Sequence, residues 1–489
     1  MSSPISPIYR IATVFSFYEK NDWWRESLSQ SLLIKPLLAL TGSIRAASEA
    51  RAAVSRIGSL LQNGSMLVAV LLIFCLGLPQ FANDKLGLAF ISLAGLLLWL
   101  TGWMLGGKER RKPDFVDFLI LLYLGINVVA AFASHYFLPS IKGLAKVIIY
   151  IGSYFLFSAL CAQSRKRSSI LVGAASMIGM ALSLHGLYQF KTGVAPLATW
   201  EDPTVETQGT RIYSTLGNPN LLAGFLIPLA PLSLGLASTY LVERKWLLSA
   251  LFYGGFALIS LATVLTGSRG GYIAIAAVLA TFFMPALLYV WRHKPRSRPF
   301  MVIALIGTLA LGAFAVTQIP SFSTRLESIF AGREHSSNSY RINVWESSFA
   351  MFKDNWWFGT GVGNETFRLA YGLYMVSGYD ALGTYCVPLE VAVECGVFGL
   401  ALFVFIIAAV LSRAHMNFWR VETGPYRWVI LGCAAAIFGL MTHGLVDTVF
   451  YRPQVHFIFW MLVGILTMGY CGDQTAKDSQ PGASEIKPG

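Results

Sequence analysis

Long apolar segments dominate this chain and restrict what it can fold into. About twelve of them approach or reach the ~20 residues that an α-helix needs to cross a hydrocarbon core of ~30 Å. Only 13% of the 489 residues are charged, whereas soluble domains have about 25%, so polar side chains are too few to cover a soluble surface. The sequence therefore predicts an all-α polytopic membrane protein with about 12 transmembrane helices. The predicted spans lie near residues 66–79, 86–105, 115–134, 143–162, 169–190, 221–241, 246–266, 270–291, 300–319, 386–410, 427–445 and 455–471.

Basic residues are concentrated in every second loop between these segments. The positive-inside rule places such loops, and with them both termini, in the cytoplasm. This topology signal accounts for the formal net charge of +12, so nucleic acid is not an expected partner. We expect an integral inner (plasma) membrane protein that has the lipid bilayer as a partner. The basic loops contain Lys108 and Arg110–Lys112, Arg165–Arg167, Arg244–Lys245, Arg292–Arg298, and Arg413–Arg427.

The topology divides the chain into five parts. Residues 43–61 have the pattern of a basic amphipathic helix lying on the inner leaflet, with a poorly ordered tail as the alternative. The parts are a cytoplasmic or interfacial N-terminal segment (1–65), spans 1–9 (66–319), a large extracytoplasmic cap loop between spans 9 and 10 (320–384), spans 10–12 (385–471) and a disordered cytoplasmic tail (472–489).

The cap loop contains a helical pattern of its own. Apolar residues recur at spacings of three to four between Ile342 and Phe352, which predicts a helix. Asp354–Asn355 and the glycines at 359–363 predict that this helix ends and a loop follows. Because unstructured loops longer than ~15 residues are uncommon unless they are functional, we expect the cap to be folded.

Arg269 in LTGSRGGY (265–272) lies between two apolar segments. Neither Asp nor Glu occurs between Glu243 and Glu327 to pair with it locally. An arginine that reaches up to the lipid headgroups is one explanation. The flanking glycines permit a close backbone approach and favour the other explanation, an outward-facing anion site.

Other polar residues are predicted on the same outer side. Arg341 begins the cap helix, and Arg211 precedes the turn Gly217–Asn220, in which Asn218 and Asn220 add amides to the anion site. The six cysteines show no CxxC motif and no zinc spacing, so neither a metal nor another cofactor is expected. A polar vestibule is predicted from His185, Glu390, Glu394, His443, Asp447 and Arg452, with the two glutamates as candidate partners of Arg269 or Arg341.

Three stretches resemble motifs of the membrane O-antigen ligase and polymerase superfamily. They are Thr266–Gly271, Arg341 with Trp345, and Lys353–Gly361. The resemblance runs over roughly residues 170–465. It implies that the outer arginines bind the diphosphate of a polyprenyl-linked glycan and that an outer histidine assists transfer of the glycan to an acceptor.

The histidine of that family pattern is missing here. When Leu389–Glu390 and Glu394 are lined up with the pattern, Tyr385 stands at the position of the histidine and Cys386 at that of an asparagine. Neither acts as a base at neutral pH as readily as an imidazole. His335 would substitute for it only if the cap folds back.

This departure suggests a particular branch of the superfamily. The stretches 215–229, 377–396 and 443–460 look like a family named for inorganic-carbon (bicarbonate) transport, which lacks the ligase histidine. Two functions follow from the resemblance. The first is bicarbonate uptake or accumulation through an Arg-lined anion site, in which case the protein is not an enzyme. The alternative is an O-antigen ligase/polymerase-like glycosyltransferase whose partner is a lipid-linked glycan diphosphate.

Overall fold

In a computed structural model, residues 7–31, 34–81, 85–107, 111–194, 210–318 and 336–468 are described. The regular structure of these residues is helical, without strands. Ten of their helices are long and apolar enough to cross a membrane, which confirms the predicted fold class. Other predictions concern residues outside the described ranges, namely Lys108, Arg110, His335 and the tail 472–489.

A helix lies at each predicted span, in the predicted order. The helices at the ninth and twelfth predicted spans, α12 and α17, are not among those ten. Helix α12 has 21 residues, and α17 has 16. In chain order the helices are α1 (Pro7–Ser16), α2 (Lys20–Gln30), α3 (Ile34–Glu49), α4 (Ala52–Cys75), α5 (Lys85–Met104), α6 (Phe115–Ala133), α7 (Phe137–Gln163), α8 (Arg165–Thr192), α9 (Pro219–Val242), α10 (Trp246–Leu265), α11 (Arg269–His293), α12 (Arg298–Gln318), α13 (Ser336–Asp354), α14 (Asn364–Tyr371), α15 (Val387–Trp419), α16 (Arg427–Gly444) and α17 (Pro453–Met468).

Helix α9 forms the centre of the bundle. Its most apolar window is 89% buried, compared with 28% in α5 and in α11. Glycines let α9 and α16 approach closely: a Cβ on Gly235 would lie 2.6 Å from the carbonyl oxygen of Trp428, and a Cβ on Gly432 would lie 2.5 Å from that of Pro231. Small residues at helix contacts are the usual means of close packing in membranes. The two helices are therefore held together by backbone contact.

The antiparallel helices bring a particular set of turns to one end of the bundle. Helices α9 and α11 begin at this end, and α10 and α16 finish there. We call it the arginine end, because the segments that carry Arg211, Arg269 and Arg341 meet there. The basic turns Arg244–Lys245 and Arg292–Arg298 lie at the opposite end.

Helix α15 is interrupted within the bundle, and the cap replaces its missing hydrogen bonds. Gly396 has φ +69° and ψ −169°, outside the helical region. The Thr360 backbone N–H donates to the carbonyl oxygen of Val393 at 2.8 Å, and the Val397 N–H donates to that of Trp356 at 2.8 Å. Unpaired backbone groups at membrane depth cost several kcal/mol each. The loop after α13 is therefore part of the span's structure.

The helix and loop predicted within the cap are confirmed. Helix α13 covers the apolar pattern from Ile342 to Phe352 and ends at Asp354. The three loop glycines, at 359, 361 and 363, have φ values of +75°, +110° and +96°. A side chain is strained in this region of backbone space. Glycine is therefore required for the path that the loop takes into the break of α15.

The N-terminal helices pack against the end opposite the arginine end. Arg413 of α15 is fully buried and forms an ion pair with Asp114. Its Nε donates to the carbonyl oxygen of Ser16 at 2.7 Å, and its guanidinium lies 4.5 Å from the ring centroid of Tyr18. A buried charge is tolerated only with such partners. This network anchors α1 to the bundle, which the composition of the N-terminal segment did not predict.

The prediction of one surface helix over residues 43–61 is wrong. Helix α3 ends at Glu49, and α4 begins at Ala52 and continues to Cys75. The second half of the predicted surface helix therefore belongs to the first spanning helix. The amphipathic pattern failed here because a helix that emerges from the membrane extends its regular structure past its apolar window.

Candidate functional site

The loop before α9 and the turn before α11 are tied together by Arg211. Its Nε donates to the carbonyl oxygen of Thr266 at 2.9 Å, and its Nη2 donates to Asn220 Oδ1 at 3.1 Å. Asn218 caps α9, since its side-chain oxygen accepts the Asn220 N–H at 2.8 Å and the Leu221 N–H at 3.3 Å. Such caps satisfy N–H groups that have no partner within the helix. The N-termini of α9 and α11 are thus neighbours.

The turn that carries Arg269 is built by small residues. Gly267 has φ +64°. Ser268 caps α11, because its Oγ accepts the Gly271 N–H at 3.3 Å. Arg269 is the first residue of α11 and is partly buried. The predicted turn is therefore present, and its arginine stands at a helix N-terminus.

His443 lies directly beneath this turn. It is fully buried, and its Nε2 is 3.4 Å from Ser268 Oγ. A Cβ on Gly270 would lie 2.9 Å from His443 Cδ2, and a Cβ on Gly224 would lie 3.3 Å from His443 Nδ1. The imidazole thus occupies the space left by two glycines. Its burial makes it a support for the Arg269 turn rather than a group that meets a substrate.

Arg341 meets the turn after α16. Its Nη2 lies 3.6 Å from Asp447 Oδ2, and its Nη1 donates to Ser337 Oγ at 2.7 Å. Asp447 is buried, and its Oδ1 accepts the Thr448 N–H at 2.8 Å. The distance of 3.6 Å exceeds that of a direct hydrogen bond, ~3.2 Å. The ion pair is therefore loose, and it differs from the pairing with a glutamate of α15 that we expected for this arginine.

The turn of Arg269 and the Arg341–Asp447 pair adjoin each other. The charges of Arg341 and Asp447 both act on the His443 imidazole. A Cβ on Gly270 would also lie 2.7 Å from Val446 Cγ2, beside Asp447. Three arginine-bearing segments that are distant in sequence are therefore brought to one end of the bundle.

Tyr385, at the position of the family's histidine, faces Arg341. The Arg341 guanidinium lies 5.8 Å from the centroid of the Tyr385 ring. The residue has φ +54°, and its carbonyl oxygen accepts a hydrogen bond from Trp345 Nε1 at 3.3 Å. Burial raises the pKa of the Tyr385 phenol, and the Asp447 carboxylate raises it further. The phenol stays protonated at neutral pH, so it can donate a hydrogen bond but does not act as a base.

Two other residues of the predicted vestibule are His185 and Arg452. His185 Nδ1 is 3.0 Å from Ser214 Oγ, a contact that fixes the loop before α9. Arg452 lines a separate small cavity of about 10 Å3 with Leu216 and Gln454. The two positions support the loop architecture, and their assignment to a vestibule stays a prediction.

Glu390 and Glu394 line a larger cleft between α6, α7, α15 and α17, with a cavity volume of about 60 Å3. Tyr123 and Asn127 of α6, Tyr150 of α7 and His456 of α17 also line it. The sequence did not identify these residues, because each stands alone within an apolar span. Their grouping arises only from helix packing. No cluster of three metal-ligating side chains was found among the described residues.

Part of the chain is similar to a known family. Residues 254–404 match the family model described as O-antigen ligase. The match covers less than half of the chain and includes Arg269, Arg341 and both glutamates of the cleft. It supports the resemblance to the O-antigen ligase superfamily. No curated protein matches the chain.

Proposed function

We propose that this protein transfers a glycan from a polyprenyl diphosphate to an acceptor, as an O-antigen ligase/polymerase-like glycosyltransferase. One observation carries the proposal: three segments with an arginine each converge at one end of a membrane bundle. The residue contacts that connect them are Arg211 with Thr266, His443 with Ser268, and Arg341 with Asp447.

A diphosphate suits this arrangement. Guanidinium groups bind phosphate oxygens as planar forks, and the N-termini of α9 and α11 add N–H donors and the positive ends of helix dipoles. When the bond between sugar and diphosphate breaks, negative charge develops on the leaving group. Cations already in place stabilise that charge and lower the barrier. The loose pair with Asp447 leaves Arg341 able to turn towards a stronger anion.

The same cations would hold a small anion such as bicarbonate, and bicarbonate uptake is the other function that the sequence predicts. The family match favours glycan transfer, because it falls on the part of the chain that carries Arg269 and Arg341. Bicarbonate uptake by the purified protein is therefore measured as the alternative function.

We also propose the orientation that the basic loops predict. The arginine end then faces the extracytoplasmic side, residues 320–384 cap it, and both termini are cytoplasmic. A donor that is carried on a membrane lipid would reach the site from the bilayer.

The test follows the donor directly. The protein is expressed in its source organism after deletion of the chromosomal gene, purified in detergent, and assayed for co-purified polyprenyl-diphosphate glycan by mass spectrometry. Arg269→Ala and Arg341→Ala are each expected to reduce the retained donor and the surface glycan by at least tenfold, because each removes a phosphate contact. Membrane insertion is expected to be unchanged.

Arg368→Ala is the matched control, because Arg368 lies in the same cap and forms only an exposed ion pair with Asp380 at 3.8 Å. Wild-type protein without donor, and a deletion strain with unchanged surface glycan, would refute the proposal. Uptake of labelled bicarbonate by liposomes that contain the purified protein, lost in Arg341→Ala, would establish the alternative.

A further inference from the structure

The cleft that holds Glu390 adjoins the arginine end. Glu390 lies in the first turn of α15 and is within electrostatic range of Asp447. A Cβ on Gly383 would lie 2.8 Å from Thr448 Cγ2 and 3.7 Å from Glu390 Oε2, so one glycine touches both the turn of Asp447 and the cleft. A molecule in the cleft would therefore be next to one held by Arg341.

The two carboxylates of the cleft differ in their partners. Glu394 accepts a hydrogen bond from the Gly363 N–H and interacts electrostatically with the Lys146 ammonium. Only 9% of Glu390 is exposed, and its Oε2 has no hydrogen-bond partner among the described residues. Buried polar atoms without a partner are rare and costly. Glu390, which lines the cleft, thus keeps an acceptor oxygen without a partner among the described residues.

The rest of the lining selects the class of ligand. Among the described residues the lining contains neither Lys nor Arg to bind an anion. The amide of Asn127 and the phenols of Tyr123 and Tyr150 supply hydrogen-bonding groups. The cavity volume of about 60 Å3 exceeds the ~10–15 Å3 that one water molecule needs, so a hydroxyl-bearing group can enter. Apolar faces of sugar rings pack on aromatic side chains, which this cleft offers at Phe403, Phe450, Phe459 and Trp460.

We infer that the hydroxyl-bearing end of a neutral saccharide acceptor binds in this cleft and that the Glu390 carboxylate takes the proton of the attacking hydroxyl. The inference rests on the proposed function. It supplies the base that is missing when Tyr385 stands at the position of the family's histidine.

The acceptor oxygen forms a bond to the anomeric carbon of the donor sugar, and the bond from that carbon to the diphosphate oxygen breaks. The electron pair of the broken bond stays on the diphosphate, beside the arginines. The acceptor proton moves to Glu390 and leaves afterwards to solvent or to the released diphosphate.

The experiment separates donor binding from transfer. Glu390→Gln, Glu390→Asp, Arg341→Ala and wild type are each expressed in the deletion strain. The donor that co-purifies with the protein and the glycan delivered to the cell surface are measured for each. General-base removal typically costs 10²–10⁴-fold, so Glu390→Gln is expected to retain donor within about twofold of wild type while transfer falls at least 100-fold. Glu390→Asp is expected to recover part of the transfer, and Arg341→Ala to lose the donor.

Glu365→Gln is the control for loss of a carboxylate, because Glu365 is exposed and pairs only loosely with Lys142 at 3.5 Å. Its transfer is expected to equal that of wild type. Melting temperatures of the purified variants report on folding. Transfer by Glu390→Gln within about threefold of wild type, or loss of its bound donor, would overturn the inference while leaving the proposed function intact. Wild-type protein that neither retains donor nor transfers glycan would instead refute the proposed function itself.

Discussion

The backbone N–H of Thr360 donates to the carbonyl oxygen of Val393 at 2.8 Å, and this bond joins the cap to the second turn of the spanning helix α15. The cap loop is therefore inserted into the bundle instead of lying over it. A Cβ on Gly359 would lie 2.4 Å from the carbonyl oxygen of Glu394. Because Glu394 lines the same cleft as Glu390, a displacement of this loop would also change the shape of the cleft.

The break in α15 should require glycine. Gly396→Ala places a methyl group 2.1 Å from the carbonyl oxygen of Trp357 at a φ of +69°, so neither backbone nor neighbour can accept it. We expect a loss of about 1–3 kcal/mol or more in stability, measured as a lower midpoint of thermal unfolding in detergent. Gly125→Ala in α6 is the control, because nothing lies within 4 Å of its added Cβ. Equal melting of the two variants would contradict the account.

The turn of Arg269 should depend on the space at Gly270. An added Cβ would lie 2.7 Å from Val446 Cγ2 and 2.9 Å from His443 Cδ2, so Gly270→Ala should push the turn away from Asp447 and weaken retention of the donor at least tenfold. Val446→Ala removes the nearer contact, and the double variant should lose less than the sum of the two single changes.

Gly254→Ala is the control for Gly270→Ala, since nothing lies within 4 Å of a Cβ added at Gly254. Additive losses in the double variant would mean that the turn and the residues beside Asp447 do not press on each other. Donor retained by purified protein is the measurement in each case.

The orientation can be tested by labelling. Leu373 follows α14 and is 77% exposed, whereas the side chain of Lys245, at the opposite end, is 55% exposed. A membrane-impermeant maleimide is expected to label Leu373→Cys in intact cells and Lys245→Cys only after permeabilisation. The wild type is the control, because Cys386 is the most accessible of its described cysteines and is only partly exposed. The reverse pattern would place the arginine end in the cytoplasm.

Tyr371 of the cap should make stability fall at high pH. Burial raises its pKa from 10.0 to about 12, so the folded state holds the phenolic proton more tightly than the unfolded state. The resulting stabilisation is complete below about pH 10 and is lost as the pH rises to about 12. In Tyr371→Phe this loss is absent, although its stability at neutral pH should be lower by about 1 kcal/mol because the hydrogen bond to the Tyr379 carbonyl oxygen is gone.

Unfolding of the wild type and of Tyr371→Phe is therefore compared in denaturant between pH 8 and pH 12. This range includes the ordinary tyrosine pKa of 10.0 and the raised value of about 12. The advantage of the wild type in free energy of unfolding should shrink above about pH 10 and then change sign, because two pKa units correspond to about 2.7 kcal/mol. A difference that stays constant over the whole range would show that the buried phenol does not titrate as we expect.

The sequence by itself determined the spanning helices and the fold class. A membrane leaves each backbone polar group to be satisfied within the chain, so apolar length alone predicts the spans. Local chemistry also determined the turn of Asn218 and Pro219, the cap helix and the glycine loop that follows it. These features depend on residues a few positions apart, which is the range over which sequence patterns act.

Tertiary structure alone decided which charged groups meet. Arg341 pairs with Asp447 across more than a hundred residues, and Arg413 pairs with Asp114 across nearly three hundred. The break of α15 is stable only because the cap supplies its hydrogen bonds, and the cleft of Glu390 exists only where four spans pack together. Such contacts are set by helix packing, because an amino acid's own neighbours in sequence do not specify which distant surface will cover it.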